Sequence, residues 1–212
     1  MDERRITPLA GVLSVVLFVV SVLVAEAASN TPDDDATGAE LASYLADNLG
    51  TLAIGTVLWG LATIALIWFL DGLRARIAPA SGQLARLAYG FGFAAALFLL
   101  SSIVPEVAGA LASDNLNRNL EGGAAEAMTA LGDGFFIAAE LMLVGFFLAV
   151  GLAAVRARAL PTWLGWISLV LAVVALIPPI GWAVVVFAFP LWLLLVSALL
   201  WRQPTVETTP AL

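Results

Sequence analysis

The chain has 212 residues, 62% of them hydrophobic, and a formal net charge of −7 from nine arginines, no lysine and sixteen acids. Apolar runs this long are those of an α-helical membrane protein; they lack the polar alternation of a transmembrane barrel strand. The acidic balance argues against nucleic acid as a partner, and a chain without Cys or His has no disulfide, no thiolate or imidazole metal or haem site and no Ser-His catalysis.

Met1 to Arg5 is a short polar start, and Thr7-Pro8 reads as an N-cap with a first-turn proline. The apolar run Leu9 to Ala25 has two readings. One is a cleaved signal peptide ending at Ala25-Glu26-Ala27; the other is a retained first span. The run is longer than a signal core of about 7–15 residues, which favours retention. Ala28 to Asn48 is acidic and has no basic residue. Within it Thr37-Gly38-Ala39-Glu40 has the form of a capping box, and Leu41, Tyr44, Leu45 and Leu49 share one helical face. A short amphipathic helix at the outer surface is expected there.

The second span is Gly50 to Leu70, closed by Asp71-Gly72-Leu73-Arg74-Ala75-Arg76. The third runs from about Leu87 to Ala112 and carries Ser101, Ser102, Pro105 and Glu106. A polar loop, Ser113 to Gly123, leads to the fourth span, Gly134 to Val155, which holds Glu140 and is closed by Arg156 and Arg158. Leu160-Pro161-Thr162-Trp163 opens a fifth, short span ending near Ile177, where Pro178-Pro179 forces a turn. The sixth, Ile180 to Trp201, has Pro190 in its middle, and 203–212 reads as a disordered tail. The expected architecture is therefore all-α: a six-span transmembrane bundle in one domain, 1–202. Eight of the nine arginines fall on one side of it and only Arg118 on the other. The positive-inside rule makes that side, with both termini, cytoplasmic, and the membrane the cell inner membrane.

Ala39-Glu40-Leu41-Ala42-Ser43-Tyr44-Leu45-Ala46-Asp47-Asn48 resembles Ala125-Glu126-Ala127-Met128-Thr129-Ala130-Leu131-Gly132-Asp133-Gly134, and each copy precedes a span ending in Arg-Ala-Arg. Chance is a rival in a chain rich in alanine and leucine. The coincident Asp and Arg-Ala-Arg favour a tandem parallel repeat of two-span units, about 6–76 and 88–158, followed by a final hairpin, 161–201. Each unit would carry its own short outer amphipathic helix.

Glu140 is the one carboxylate not easily placed in water. It lies six residues past Gly134, about 9 Å below the outer boundary at 1.5 Å per residue. A carboxylate facing lipid costs roughly 2.5 kcal/mol or more, so it is expected to face the bundle interior or a wet cavity. Glu106, Asp133 and the hydroxyls of Ser101 and Ser102 are its candidate company in a proton or small-cation site. The competing reading is a packing residue bonded to a neighbouring helix. Gly132-Asp133-Gly134 superficially resembles an intramembrane aspartyl protease motif, but it lacks the preceding G-x and a second aspartate in a comparable span. No catalytic residue, resident metal or cofactor is assigned, and the chain is read as non-enzymatic. Its expected surroundings are the lipid bilayer, with a partner protein or lipid as the alternative role. Gly145, Ala149 and Ala153 form a helix-packing stripe, and Trp163, Trp166, Trp182 and Trp201 read as interfacial anchors, with Trp192 in the core.

Three segments, Ala39-Glu40…Tyr44-Leu45, Trp68-Phe69-Leu70…Leu73-Arg74 and Leu160-Pro161-Thr162-Trp163-Leu164-Gly165-Trp166, together resemble a family of uncharacterised bacterial multi-pass membrane proteins. The resemblance covers most of the chain and implies a membrane bundle; it implies no activity.

Overall fold

Thr7 and Pro8 do not start the first helix. In the computed structural model, which describes residues 3–29, 31–33, 35–116 and 120–202, α1 runs Glu3–Glu26 with Pro8 inside it. A proline this close to a helix start removes one intrahelical bond and little else. Thr7 packs against α3 instead: a Cβ on Gly72 would overlap the Thr7 side chain. The later helices are α2 (Gly38–Asp47), α3 (Leu49–Ile77), α4 (Gly82–Leu116), α5 (Gly122–Val155), α6 (Thr162–Val174), α7 (Pro178–Ala183) and α8 (Phe189–Arg202). Arg118, Asp34 and the tail 203–212 lie outside the described residues.

Among the described residues five helices are long and apolar enough to cross a membrane: Ile6–Glu26, Leu49–Ile77, Gly82–Leu116, Gly122–Val155 and Ile180–Arg202. The sequence reading expected six. The difference is α6, whose 13 residues reach only about 20 Å at 1.5 Å per residue, short of a hydrocarbon core about 30 Å thick. It is cut off by the turn at Ile177-Pro178, where Pro178 opens α7.

The helices close a ring. α1 packs on α3 and α8, α3 on α4, α4 on α5, and α5 on α6. α8 completes it at the aromatic centre: the rings of Phe146 and Phe147 meet those of Phe189 and Trp192 at centroid distances of 5.3–6.0 Å, nearly edge to face. Trp192, which the sequence placed in the core, is 3% exposed and donates its indole N–H to Ser168 Oγ at 3.0 Å. Ser168 in turn donates to the Leu164 carbonyl at 2.9 Å. Small residues set the helix spacing. Gly145 faces the ring of Phe91, while Gly151 and Gly165 bring α5 and α6 together.

Pro190 reshapes its helix. Residues Val184–Ala188 form a π-helical turn, and Phe189 N–H bonds to the Val184 carbonyl, five residues back. The proline lacks an N–H and its ring crowds the carbonyl four residues earlier, so the chain gains one residue in that turn.

The bundle has two chemically distinct ends. Arg74, Arg76, Arg86, Arg156, Arg158 and Arg202 lie at one, called the arginine end. At the other, α2 lies across the ends of α4 and α5. There Ala42, Leu45, Leu52, Ala110 and Ala125 form a second, smaller core. α2 opens on the expected capping box: Glu40 N–H donates to Thr37 Oγ1 (3.4 Å), and Thr37 N–H donates to Glu40 Oε2 (2.7 Å).

The two segments expected to repeat, 39–48 and 125–134, take different courses. The first ends α2 at Asn48, where the backbone leaves helical geometry (φ −116°, ψ 18°) before α3 begins. The second runs unbroken through Gly134 inside the 34 residues of α5. So the expected second outer helix is the first turns of α5. Asn48 can hold a break because its amide grips two other segments; Gly134 has no side chain to do so.

Candidate functional site

Three carboxylates are arranged along α5. Glu126, Asp133 and Glu140 are spaced by seven residues, which places them on one stripe of that helix about 10 Å apart. Glu126 begins the stripe at the first turn of α2. A Cβ on Gly38 would lie 2.5 Å from Glu126 Oε1 and 2.5 Å from the Gly122 carbonyl oxygen. Only glycine allows α2 this close to α5, and the acid then sits where free N–H groups and the helix dipole favour negative charge.

Asp133 is exposed and is the charged group that acts on Glu106, which is half-buried on α4. Glu106 acts in turn on Tyr44 of α2. The Tyr44 phenol is held above its ordinary value, first by burial and then by the carboxylates of Glu106 and Glu26. Burial and these two acids therefore favour the neutral phenol. Tyr44 also lines an open groove with Asp33, Asp35, Glu40, Ser43 and Asp47. Glu40 is pushed the other way: the Thr37 N–H and hydroxyl hold its carboxyl below the usual value.

Glu140 keeps different company. It is half-buried, at the tip of the hairpin formed by α6 and α8. A Cβ on Gly181 would lie 3.1 Å from Glu140 Oε2 and 2.9 Å from the Ala175 carbonyl oxygen. The short α6 puts the hairpin turn level with Glu140. The sequence groups Glu140 with Glu106; the fold sets Glu140 against α7 at Gly181, and the carboxylate that acts on Glu106 is Asp133.

The serines serve the helices. Ser102 Oγ donates to the Leu99 carbonyl at 2.8 Å, and its own carbonyl packs on Gly132, where a Cβ would come within 2.6 Å. Ser101 is half-buried on the same turn, and its carbonyl loses its usual donor to Pro105. Thr129 Oγ1 donates to the Ala125 carbonyl at 3.3 Å.

Asn48 is the residue that sequence reasoning missed. It is 4% exposed. Its amide donates to the carbonyls of Ser29 and Tyr44, both at 2.9 Å, and its oxygen accepts from the Ser29 N–H at 2.9 Å and hydroxyl at 3.2 Å. It thus ties the α1–α2 connection to the end of α2 at the Tyr44 carbonyl. The signal was present: an asparagine between two helical patterns is a turn residue.

Among the described residues no group of three or more Asp or Glu side chains is gathered as a metal site would need. Two neighbouring carboxylates can share a proton or hold a small cation between them. Comparison with protein-family models, with curated proteins and with solved structures finds no match to this chain.

Proposed function

We propose that this chain is a non-enzymatic, multi-pass integral protein of a bacterial inner membrane that takes up a proton or small cation at its outer end. The observation that carries the reading is the electrostatic coupling at the α2 end, where Asp133 acts on Glu106 and Glu106 acts on Tyr44. Asp133 sits on a stripe of acids along α5 that leads from Glu126 down to Glu140, and Glu106 lies on α4. No arginine among the described residues lies at that end to neutralise them. Glu106 and Asp133 hold the occupant, Tyr44 covers it, and Glu140 is the inner limit of the stripe.

The arginine distribution makes the arginine end cytoplasmic. Four crossings bring the chain back to that end at Val155. The α6–α8 hairpin enters from it and returns to it, so both termini are cytoplasmic whether or not α6 counts as a sixth span. The Asp47/Asp133 motif and the paired Arg-Ala-Arg segments support an origin by tandem duplication, with the second outer helix since fused into α5.

Thermal stability of the purified protein across pH and cation identity tests the reading. The dependence should be lost in Glu106→Gln and Asp133→Asn and retained in Glu126→Gln. Equal dependence in all three variants and the parent would remove the site.

A second reading is an accessory subunit that binds a partner protein or lipid. It is favoured by an apolar cavity of about 40 Å³ among α1, α3, α4 and the π-helical turn, lined by Phe18, Trp59, Leu99, Val185 and Phe189 with no carboxylate.

A further inference from the structure

The connection between α5 and α6 closes on a left-handed residue that carries a side chain. Arg158 adopts φ 53°, and it is the only non-glycine residue with positive φ among the described residues. Helices commonly end in this left-handed conformation, but at glycine, because a side chain there is strained. The chain here holds the strain firmly. Ala159 N–H reaches back to the Ala153 carbonyl at 3.1 Å, and Ala159 and Leu160 are buried at 4% and 5% exposure. The strained turn therefore presents two exposed arginines, Arg156 and Arg158, from a rigid base.

Two further observations give the site its chemistry. Asp71, a carboxylate at this end, is taken by Arg74 at 2.8 Å, and Arg74, Arg76, Arg86, Arg156, Arg158 and Arg202 leave the arginine end positive. Immediately after the turn, α6 presents an exposed apolar stripe, Trp163, Trp166, Ile167, Val170 and Val173, at 42–63% exposure. Two guanidinium groups, interfacial tryptophans and an apolar stripe running inward match, in that order, the parts of a phospholipid from headgroup to acyl chain.

We propose that the α5–α6 connection is a binding site for an anionic phospholipid, with Arg156 and Arg158 on the headgroup phosphate and one acyl chain along the exposed face of α6. This site is independent of the carboxylates at the opposite end.

The test uses the full chain in nanodiscs. The melting temperature is compared between discs of phosphatidylcholine alone and discs that also contain phosphatidylglycerol. The parent should gain a few degrees from phosphatidylglycerol, and Arg156→Gln/Arg158→Gln should lose most of that gain. Arg158→Gly separates folding from binding: relief of the left-handed strain should raise its melting temperature in phosphatidylcholine, while its gain from phosphatidylglycerol shrinks. Inorganic phosphate added to phosphatidylcholine discs should not reproduce the gain. No gain in the parent, an undiminished gain in both variants, or a gain reproduced by inorganic phosphate would each overturn the proposal.

Discussion

Glu140 and Gly181 meet at the tip of the α6–α8 hairpin, so closely that a Cβ on Gly181 would stand 3.1 Å from Oε2 of the acid. The contact follows from chain length. α6 stops after 13 residues, the turn at Ile177-Pro178 reverses the chain, and the first turn of the returning helix lands on α5 at Glu140.

Gly181→Ala should therefore destabilise the bundle although alanine is the better helix former. The added carbon also meets the Ala175 carbonyl oxygen at 2.9 Å, and overpacking of this kind costs about 1–3 kcal/mol. Shortening the acid should recover part of the loss. In a double-mutant cycle by chemical denaturation, Glu140→Ala should cost less in the Gly181→Ala background than in the parent. Strict additivity would mean that the two side chains do not compete for the same space.

The capping box at Thr37 and Glu40 was legible in the sequence because it is local: its partners are three residues apart and need no tertiary contact. The apolar runs were legible for the same reason, as was the burial of Trp192 in mid-helix. The company of Glu140 was not. It depends on where α6 ends, and a sequence rule for proline placed the turn without giving the helix its length. Glu106, Asp133 and Tyr44 come from three helices, so the influence of each on the next rests on how α2 docks, which Gly38, Gly122 and Asn48 decide. The continuity of α5 through Gly134 was also hidden, because glycine in a helix is tolerated wherever packing supports it.

Asn48→Ala should cost about 1–3 kcal/mol, since it removes the four hydrogen bonds that the buried Asn48 side chain makes to Ser29 and Tyr44. The effect should be local as well as global. Hydrogen exchange should accelerate in α2 and its preceding connection before it does in α5. Uniform acceleration across the bundle would argue that Asn48 is only one more core residue.

Ser168→Ala leaves the Trp192 indole N–H buried without its acceptor. The expected loss is about 1–3 kcal/mol, read from denaturant unfolding in detergent. Ser168→Thr keeps the hydroxyl but adds a methyl at a fully buried position, so it should also destabilise while preserving the tryptophan fluorescence maximum. A neutral Ser168→Ala would show that the bond contributes nothing net.

Two groups at the α2 end give pH dependences of known sign. Glu40 has a folded value below its ordinary one, through the Thr37 N–H and hydroxyl. Its contribution to stability is present above the usual carboxylate range and is lost as pH falls through the lowered value. Tyr44 has a folded value above its ordinary one of 10.0, through burial and then Glu106 and Glu26. Its contribution is present below pH 10 and is lost as pH rises through the raised value. Thr37→Ala should flatten the acid limb only, and Tyr44→Phe the alkaline limb only, of a stability-against-pH curve. An alkaline limb unchanged in Tyr44→Phe would mean that Tyr44 is not the group that titrates there.

The central claim is that Glu106 and Asp133 act together as the proton or cation site, and infrared difference spectroscopy reads carboxyl groups directly. The protein in nanodiscs is cycled between sodium and choline at constant ionic strength, and then between two pH values. The account predicts a carboxyl or carboxylate difference band that is present in the parent and in Glu126→Gln. It should be absent from Glu106→Gln/Asp133→Asn, with the helix signal unchanged. The same band at undiminished intensity in the Glu106→Gln/Asp133→Asn protein would contradict it.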